Sequence, residues 1–298
     1  MLRIGTDCSG IEAPIQALQQ LQIPHEHVFS SEINKFCIQS INANYSPHII
    51  FGDIINRNTN DIPDIDLYVC GFPCQPFSML GSRKGLQDKR GTIFECCLDV
   101  IKTKSPKYFI LENVQGLLSI NKGETFKNII SSLENIGKYK IFWKVMNTCD
   151  FGLPQNRKRV FIIGTKGNFS WPKPVKCQDL RAFIDKTDNS KDDIAPRVKK
   201  SGLMNRIPKK SVFIDFSTQG HTSFPNSDKV CPCLMLKSDI YCVSKGRRAN
   251  ITELLSLQGF PKTFKQVVSN TQMKRQIGNS MSVNILKCII NNLLTGND

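Results

Sequence analysis

Short apolar runs alternate with helically spaced apolar residues over the first 165 positions, and this alternation constrains the chain more than any other feature. Residues 2–6 read as a strand, after which Ile11, Ile15, Leu18 and Leu21 recur at helical spacing. Residues 27–30 predict a second strand, and Ile33, Phe36, Cys37 and Ile41 a second helix. Further strands are predicted at 49–51, 67–70, 108–111, 139–147 and 160–163, with helices over 93–104 and 124–136. The alternation predicts an α/β, doubly wound fold: a mostly parallel sheet covered on both faces. In such sheets ligands sit at the carboxyl ends of the strands, so chemistry is expected in the loops that follow them.

The pattern lapses after Gly164. Residues 166–248 hold 17 Lys and Arg against 8 Asp and no Glu, a balance of +9 within the chain's +15. Six prolines, from Pro172 to Pro232, punctuate this stretch. It reads as a smaller, irregular domain, which places the large domain at 1–165 plus 268–298 and the small one at 166–267. The basic excess favours a polyanionic partner, most simply nucleic acid. At 298 residues with 40% hydrophobic content, the chain is neither disordered nor a disulfide-stapled miniature. The N-terminus lacks a basic stretch followed by an apolar run, so an intracellular protein is expected and its 12 cysteines should stay reduced. Cysteine spacing is poor for a metal; Cys177, Cys231, Cys233 and Cys242 are the one zinc set considered, and no metal is expected. No apolar run is long enough to span a membrane.

The loop after the fourth predicted strand reads Gly71-Phe72-Pro73-Cys74-Gln75-Pro76, which holds a cysteine on a stiff loop at the ligand edge. The next strand runs into Leu111-Glu112-Asn113-Val114 and brings a carboxyl to the same edge. Taken singly, these are a buried thiol and a capping acid. Together they suggest covalent catalysis assisted by an acid.

These residues resemble the cytosine-5 DNA methyltransferase family. Pro73-Cys74-Gln75 is similar to its nucleophile motif and Glu112-Asn113-Val114 to its acid motif. The run from Gly85 to Phe94 is similar to the element between them, and Gln155-Asn156-Arg157-Lys158-Arg159 to its Q-x-R-x-R element. Leu257-Gln258-Gly259-Phe260-Pro261 and Gln276-Ile277-Gly278-Asn279-Ser280 resemble the two motifs that follow the recognition domain. Six such elements in order make a specific signal. The resemblance implies a Rossmann-like S-adenosylmethionine-dependent methyltransferase domain, with the small domain acting in target recognition on double-stranded DNA. It implies a cytosine flipped from the stack and a monomeric enzyme of a restriction–modification type, in the cytoplasm or the nucleus according to host.

The chemistry agrees with those residue types. Carbon 5 of cytosine is a poor nucleophile until a thiolate adds to carbon 6, and an acid at N3 assists that addition. Cys74 and Glu112 are the candidates. Arg157 and Arg159, two apart at the start of a strand, are expected to share a face and hold the base's exocyclic oxygen and a flanking phosphate. By resemblance, S-adenosylmethionine is held by Cys8, Ser9, Gly10 and Ile11 of the first loop, Glu32 and Ile33, Asp53 and Ile54, Pro73, Asn279 and Ser280. Glu32 would accept from the ribose hydroxyls and Asp53 from the adenine amino group. The first loop departs from the family's Asp-x-Phe-x-Gly-x-Gly: Cys8 replaces the phenylalanine, Glu12 the second glycine, and the acid moves to Asp7. Two alternatives stay open. One is the family's tRNA-methylating branch, whose Cys-Phe-Thr element is not found in the middle domain; the other is a catalytically silent nucleic-acid-binding relative, for which the altered first loop argues.

Overall fold

The computed structural model describes residues 1–73, 92–191, 203–217 and 227–296. Seven strands form one sheet: β1 (Leu2–Asp7), β2 (His25–Ser31), β3 (Ile49–Phe51), β4 (Leu67–Cys70), β5 (Tyr108–Val114), β6 (Lys140–Asn147) and β7 (Lys158–Thr165). Their order is β3-β2-β1-β4-β5-β7-β6. The pairs from β3 through β5 are parallel, and β7 lies antiparallel to β5. The strand order reverses at β1 and β4, which makes their carboxyl ends the switch point of a doubly wound sheet.

Strand parity explains why these segments read as apolar runs. Tyr68, Cys70, Phe109, Leu111, Val160 and Ile162 face one side and share a core with Cys97, Val100 and Ile101 of α3 (Thr92–Lys104) and Phe126, Ile129 and Leu133 of α4 (Glu124–Glu134). Leu67, Val69, Ile110, Phe161 and Ile163 face the other side and are equally buried. The sheet is therefore covered on both faces, as the alternation predicts. Gly164 is required by this packing. It sits opposite Phe109, and a Cβ there would lie 2.0 Å from the ring.

The chain divides into two compact units: Met1–Met146 with Lys158–Lys173 and Ile285–Asp298, and Asn147–Arg157 with Pro174–Asn284. These differ from the sequence boundaries at both ends of the small region. The Gln155-to-Arg157 stretch and the helix that carries Gln276-to-Asn279 both fold with the small unit, for a reason given below. The first unit also holds α1 (Ala13–Gln20), α2 (Lys35–Asn44) and most of the last helix, α7 (Val283–Thr295).

The second unit contains a small antiparallel sheet, β10 (Arg247–Arg248), β9 (Ile240–Cys242) and β8 (Phe213–Asp215), with α5 (Ile251–Gln258) and α6 (Asn270–Asn279). A capping box starts α5: the Asn250 side chain accepts from Glu253 N, and the Glu253 carboxylate accepts from Asn250 N. The Glu253 carboxylate also takes both terminal nitrogens of Arg247 at 2.9 and 2.8 Å, and both side chains are 1% exposed. A bidentate pair of this kind makes a polar core where apolar periodicity is weak. The considered zinc set is not assembled: no group of three or more metal-ligating side chains occurs among the described residues. No described helix is long and apolar enough to cross a membrane.

Candidate active site

Strand register lines up the ligand edge. Phe51 pairs with Ser31, Ser31 with Asp7, Asp7 with Cys70, and Cys70 with Leu111. The next residue on each strand is Gly52, Glu32, Cys8, Gly71 and Glu112. One carboxyl edge thus carries the first loop, the two acids expected at the cofactor, the start of the cysteine loop and the candidate acid.

The altered first loop is internally consistent. Cys8, Gly10 and Glu12 all adopt left-handed backbone, with φ of 51, 57 and 59°. For Cys8 and Glu12 that conformation is strained and must be held by contacts. Glu12 is wholly buried; its Oε1 accepts from the Thr6 and Ser30 hydroxyls at 2.6 Å each and lies 3.5 Å from His27 Nε2. Ser9 joins through a 2.7 Å bond to the Thr6 hydroxyl. Glu12 therefore stands where the family has glycine because its carboxylate ties the ends of β1 and β2 together beneath the loop. Asp7 is engaged by Arg57, bidentate at 2.6 and 2.7 Å, and by the Tyr68 hydroxyl at 2.7 Å. The Arg57 guanidinium lies 5.3 Å from the centroids of both the Phe29 and Phe51 rings. Neither acid of the loop is directed to a ligand. Cys8 packs against the sheet core, where its free thiol lies in hydrogen-bonding contact with that of Cys70, rather than offering a ring face for adenine. The Ile11 side chain is fully buried, so its share in a cofactor site is confined to main chain.

The remaining residues expected at the cofactor suit a nucleoside. A Cβ on Gly10 would meet nothing within 4 Å, so the loop leaves open space at that point. Gly10 N donates to Glu32 Oε2 and Asn34 N to Glu32 Oε1, each at 2.9 Å, which fixes the carboxylate at the strand end. Burial pushes the Glu32 carboxyl above its ordinary value of 4.5, partly offset by the Asn34 and Gly10 amides. Ile33 is 75% exposed, a large apolar side chain beside an acid, as a purine and ribose together require. Asp53 is exposed and caps a short 3-10 turn through Ile55 N, while Ile54 turns into the core. These residues fit S-adenosylmethionine. Glu32→Ala is expected to weaken its binding by about 1–3 kcal/mol, measured by calorimetry. Because the carboxylate form accepts best, affinity in the parent should fall as pH is lowered through a midpoint above 4.5, and Glu32→Gln should flatten that dependence. Unchanged affinity in Glu32→Ala would place the nucleoside elsewhere.

Cys74 and, of the run from Gly85 to Phe94, residues 85–91 lie outside the described residues; the described chain before them ends at Pro73, which is exposed. The start of that loop is anchored, since buried Asn113 donates from Nδ2 to Phe72 O at 2.9 Å. Glu112 is paired with Arg159, Nε to Oε1, at 3.3 Å. Register explains the pairing: Arg159 is opposite Val114, two residues from Glu112 on the same face of β5.

Arg157 does not share that face. It precedes β7, is 2% exposed, and donates to the carbonyls of Leu234 (2.6 Å), Gly278 (3.1 Å) and Ser280 (2.6 Å). The expectation that both arginines face the base is corrected: Arg157 holds main chain, and Arg159 alone lies beside Glu112. Gln155 donates to Leu257 O and to Gln258 Oε1, and Gln258 donates to Ser280 O. Three motifs that are far apart in sequence thus close into one buried network, which is why they share a unit. Ser280 is buried with its carbonyl engaged there, and Asn279 is exposed at the end of α6. Sequence reading missed Arg57, Asn113 and Gln258 as organisers. Asn113 and Gln258 stood inside quoted motifs, whereas nothing near Arg57 marked it.

Comparison with known proteins agrees with this geometry. The profile of the C-5 cytosine-specific DNA methylase family matches residues 7–224 and 187–295. Type II methyltransferase M.HaeII of Haemophilus aegyptius is 36% identical over 283 residues, covering 90% of this chain and 86% of that protein. M.NgoBI of Neisseria gonorrhoeae is 36% identical over 270 residues, covering 88% and 84%. Among solved structures, S. pombe Dnmt2 methyltransferase superposes with a TM-score of 0.76 at 21% identity, covering 99% of each chain. The edge of strand-end loops, the Glu112–Arg159 pair and these matches together make the chain a member of the C-5 cytosine-specific DNA methylase family.

Proposed function

We propose that this chain methylates carbon 5 of a cytosine flipped out of duplex DNA, with Cys74 as nucleophile and Glu112 as acid, at a sequence selected by residues of the 166–267 region. The observation that carries the reading is Glu112 held by Arg159 one residue past the strand-end register, beside the anchored start of the Cys74 loop. The Cys74 thiolate forms a bond to carbon 6 while Glu112 gives a proton to N3, so that the electron pair of the ring double bond becomes available at carbon 5. S-adenosylmethionine supplies the electrophilic methyl group. Loss of the carbon 5 proton to a base then expels the thiolate, and N3 returns its proton to the Glu112 carboxylate, which restores the neutral ring. Arg159 orients Glu112 and offers its guanidinium to the exocyclic oxygen of the ring. The likeness to two proteins named Type II methyltransferases supports duplex DNA and a protective role opposite a restriction endonuclease.

Fluorine at carbon 5 tests the mechanism, because it cannot leave as a cation and the thiol stays attached. A mixed-sequence duplex library carrying 5-fluorocytosine, incubated with protein and S-adenosylmethionine, should give a complex that survives denaturing electrophoresis. Bisulfite sequencing of the unmodified library should show one methylated sequence. A complex with fluorocytosine tRNA alone would replace DNA by tRNA as the substrate. No complex with either nucleic acid, despite sound cofactor binding, would count against the covalent reading.

A further inference from the structure

The second unit contains a concavity of about 660 Å³ with Arg181, Lys186, Lys209, Lys210 and Lys245 in its wall and Val212 among its apolar lining. The five cations come from three separate segments: the turn that contains Leu180–Phe183, the approach to β8, and the β9–β10 turn. Among the described residues, no acidic side chain lines the cleft. The acids nearest in sequence face elsewhere. Asp185 and Asp188 each accept from Asn250 Nδ2, at 3.1 and 2.9 Å, and Asp188 lies 3.3 Å from buried Arg247. The exception is Asp179, 3.8 Å from Arg181 on the exposed surface, a pair of little energetic weight. Lys245 is pinned by Lys186 O and Asn189 Oδ1, both at 3.2 Å. Lys186, Lys209 and Lys210 have no carboxylate partner among the described residues.

Bringing five like charges from three segments to one cleft destabilises the free protein by mutual repulsion, and a bound polyanion relieves it. We propose that this cleft seats the phosphodiester backbone of the duplex that the protein methylates, setting affinity and salt dependence without reading bases. The inference rests on the DNA-methylating reading above. The heads of Lys186, Lys209 and Lys210, which no described carboxylate engages, suit phosphate oxygens. Sequence would have to be read by other residues of the unit, since backbone contacts carry no base information.

The test is the salt dependence of binding to the mixed-sequence duplex, by fluorescence anisotropy, for the parent and Lys209→Gln/Lys210→Gln. Two lost phosphate contacts should lower the slope of log affinity against log salt by about 1.8 and weaken binding roughly 10- to 100-fold at low salt. S-adenosylmethionine affinity and the methylated sequence should not change. A matched pair of changes on α3, Lys102→Gln/Lys104→Gln, should leave the slope as in the parent. An unchanged slope in the cleft variant, or an equal fall in the α3 variant, would overturn the site. So would displacement of the duplex by millimolar inorganic phosphate at constant ionic strength, or equal loss of tRNA binding, because each would show a different ligand. Bisulfite readout of the parent separates the two levels: if the parent methylates the library, a failed slope test removes only this cleft. A parent that methylates nothing removes both.

Discussion

Cys74→Ala is expected to remove methyl transfer, by at least roughly 1,000-fold in turnover, because no other group supplies the bond to carbon 6. Glu112→Gln should retain a measurable rate, lower by roughly 100- to 10,000-fold. The amide still reaches the ring through a hydrogen bond, and Arg159 still packs beside it, but no proton is delivered to N3. The two variants should also differ in trapping by 5-fluorocytosine. Cys74→Ala should form no denaturation-resistant complex at any time, and Glu112→Gln should form one slowly. Rates come from incorporation of labelled methyl groups into the duplex library, with cofactor affinity measured alongside to show that each variant retains its fold. Methylation by Cys74→Ala near the parent rate would end the covalent reading. Equal rates for Glu112→Gln and the parent would move the acid to another residue.

Much of the first unit was legible because its physics is periodic. Strands buried on both faces read as continuous apolar runs, and residues such as Val69, Ile110 and Phe161 have no polar option in that setting. The edge of the sheet was legible because strand ends and motif residues coincide at Glu32, Asp53 and Glu112. The first loop could be described but not interpreted. Replacement of a glycine by Glu12 reads as damage until the Thr6 and Ser30 hydroxyls are seen to close on its carboxylate. Contacts between distant segments leave no local signature, so Arg57 with Asp7, fifty residues apart, was invisible. The division into two units departs from the compositional boundary for the same reason. Composition changes near residue 166, but folding follows the hydrogen bonds that Gln155 and Arg157 send to residues 234–280.

That network gives the two arginines of the Q-x-R-x-R element opposite expected behaviour. Arg157→Met keeps the apolar stem and removes the guanidinium, so the buried carbonyls of Leu234 and Gly278 lose a donor, while Ser280 keeps Gln258. The cost should be about 3–5 kcal/mol of stability, read as a lower urea midpoint. What activity remains should track the folded fraction and recover when temperature is lowered. Arg159→Met removes a partner from Glu112 at an edge where side chains are 14% and 11% exposed, and among the described residues the one main-chain carbonyl that it engages is that of Lys158. Its urea midpoint should shift by no more than about 1 kcal/mol equivalent, while turnover falls roughly 100-fold or more because Glu112 is no longer aimed. Equal unfolding in both variants would mean that Arg159 also supports the fold. A stable Arg157→Met with defective turnover would return Arg157 to the substrate, and the shared-face expectation from sequence would then stand against the hydrogen bonds that contradict it.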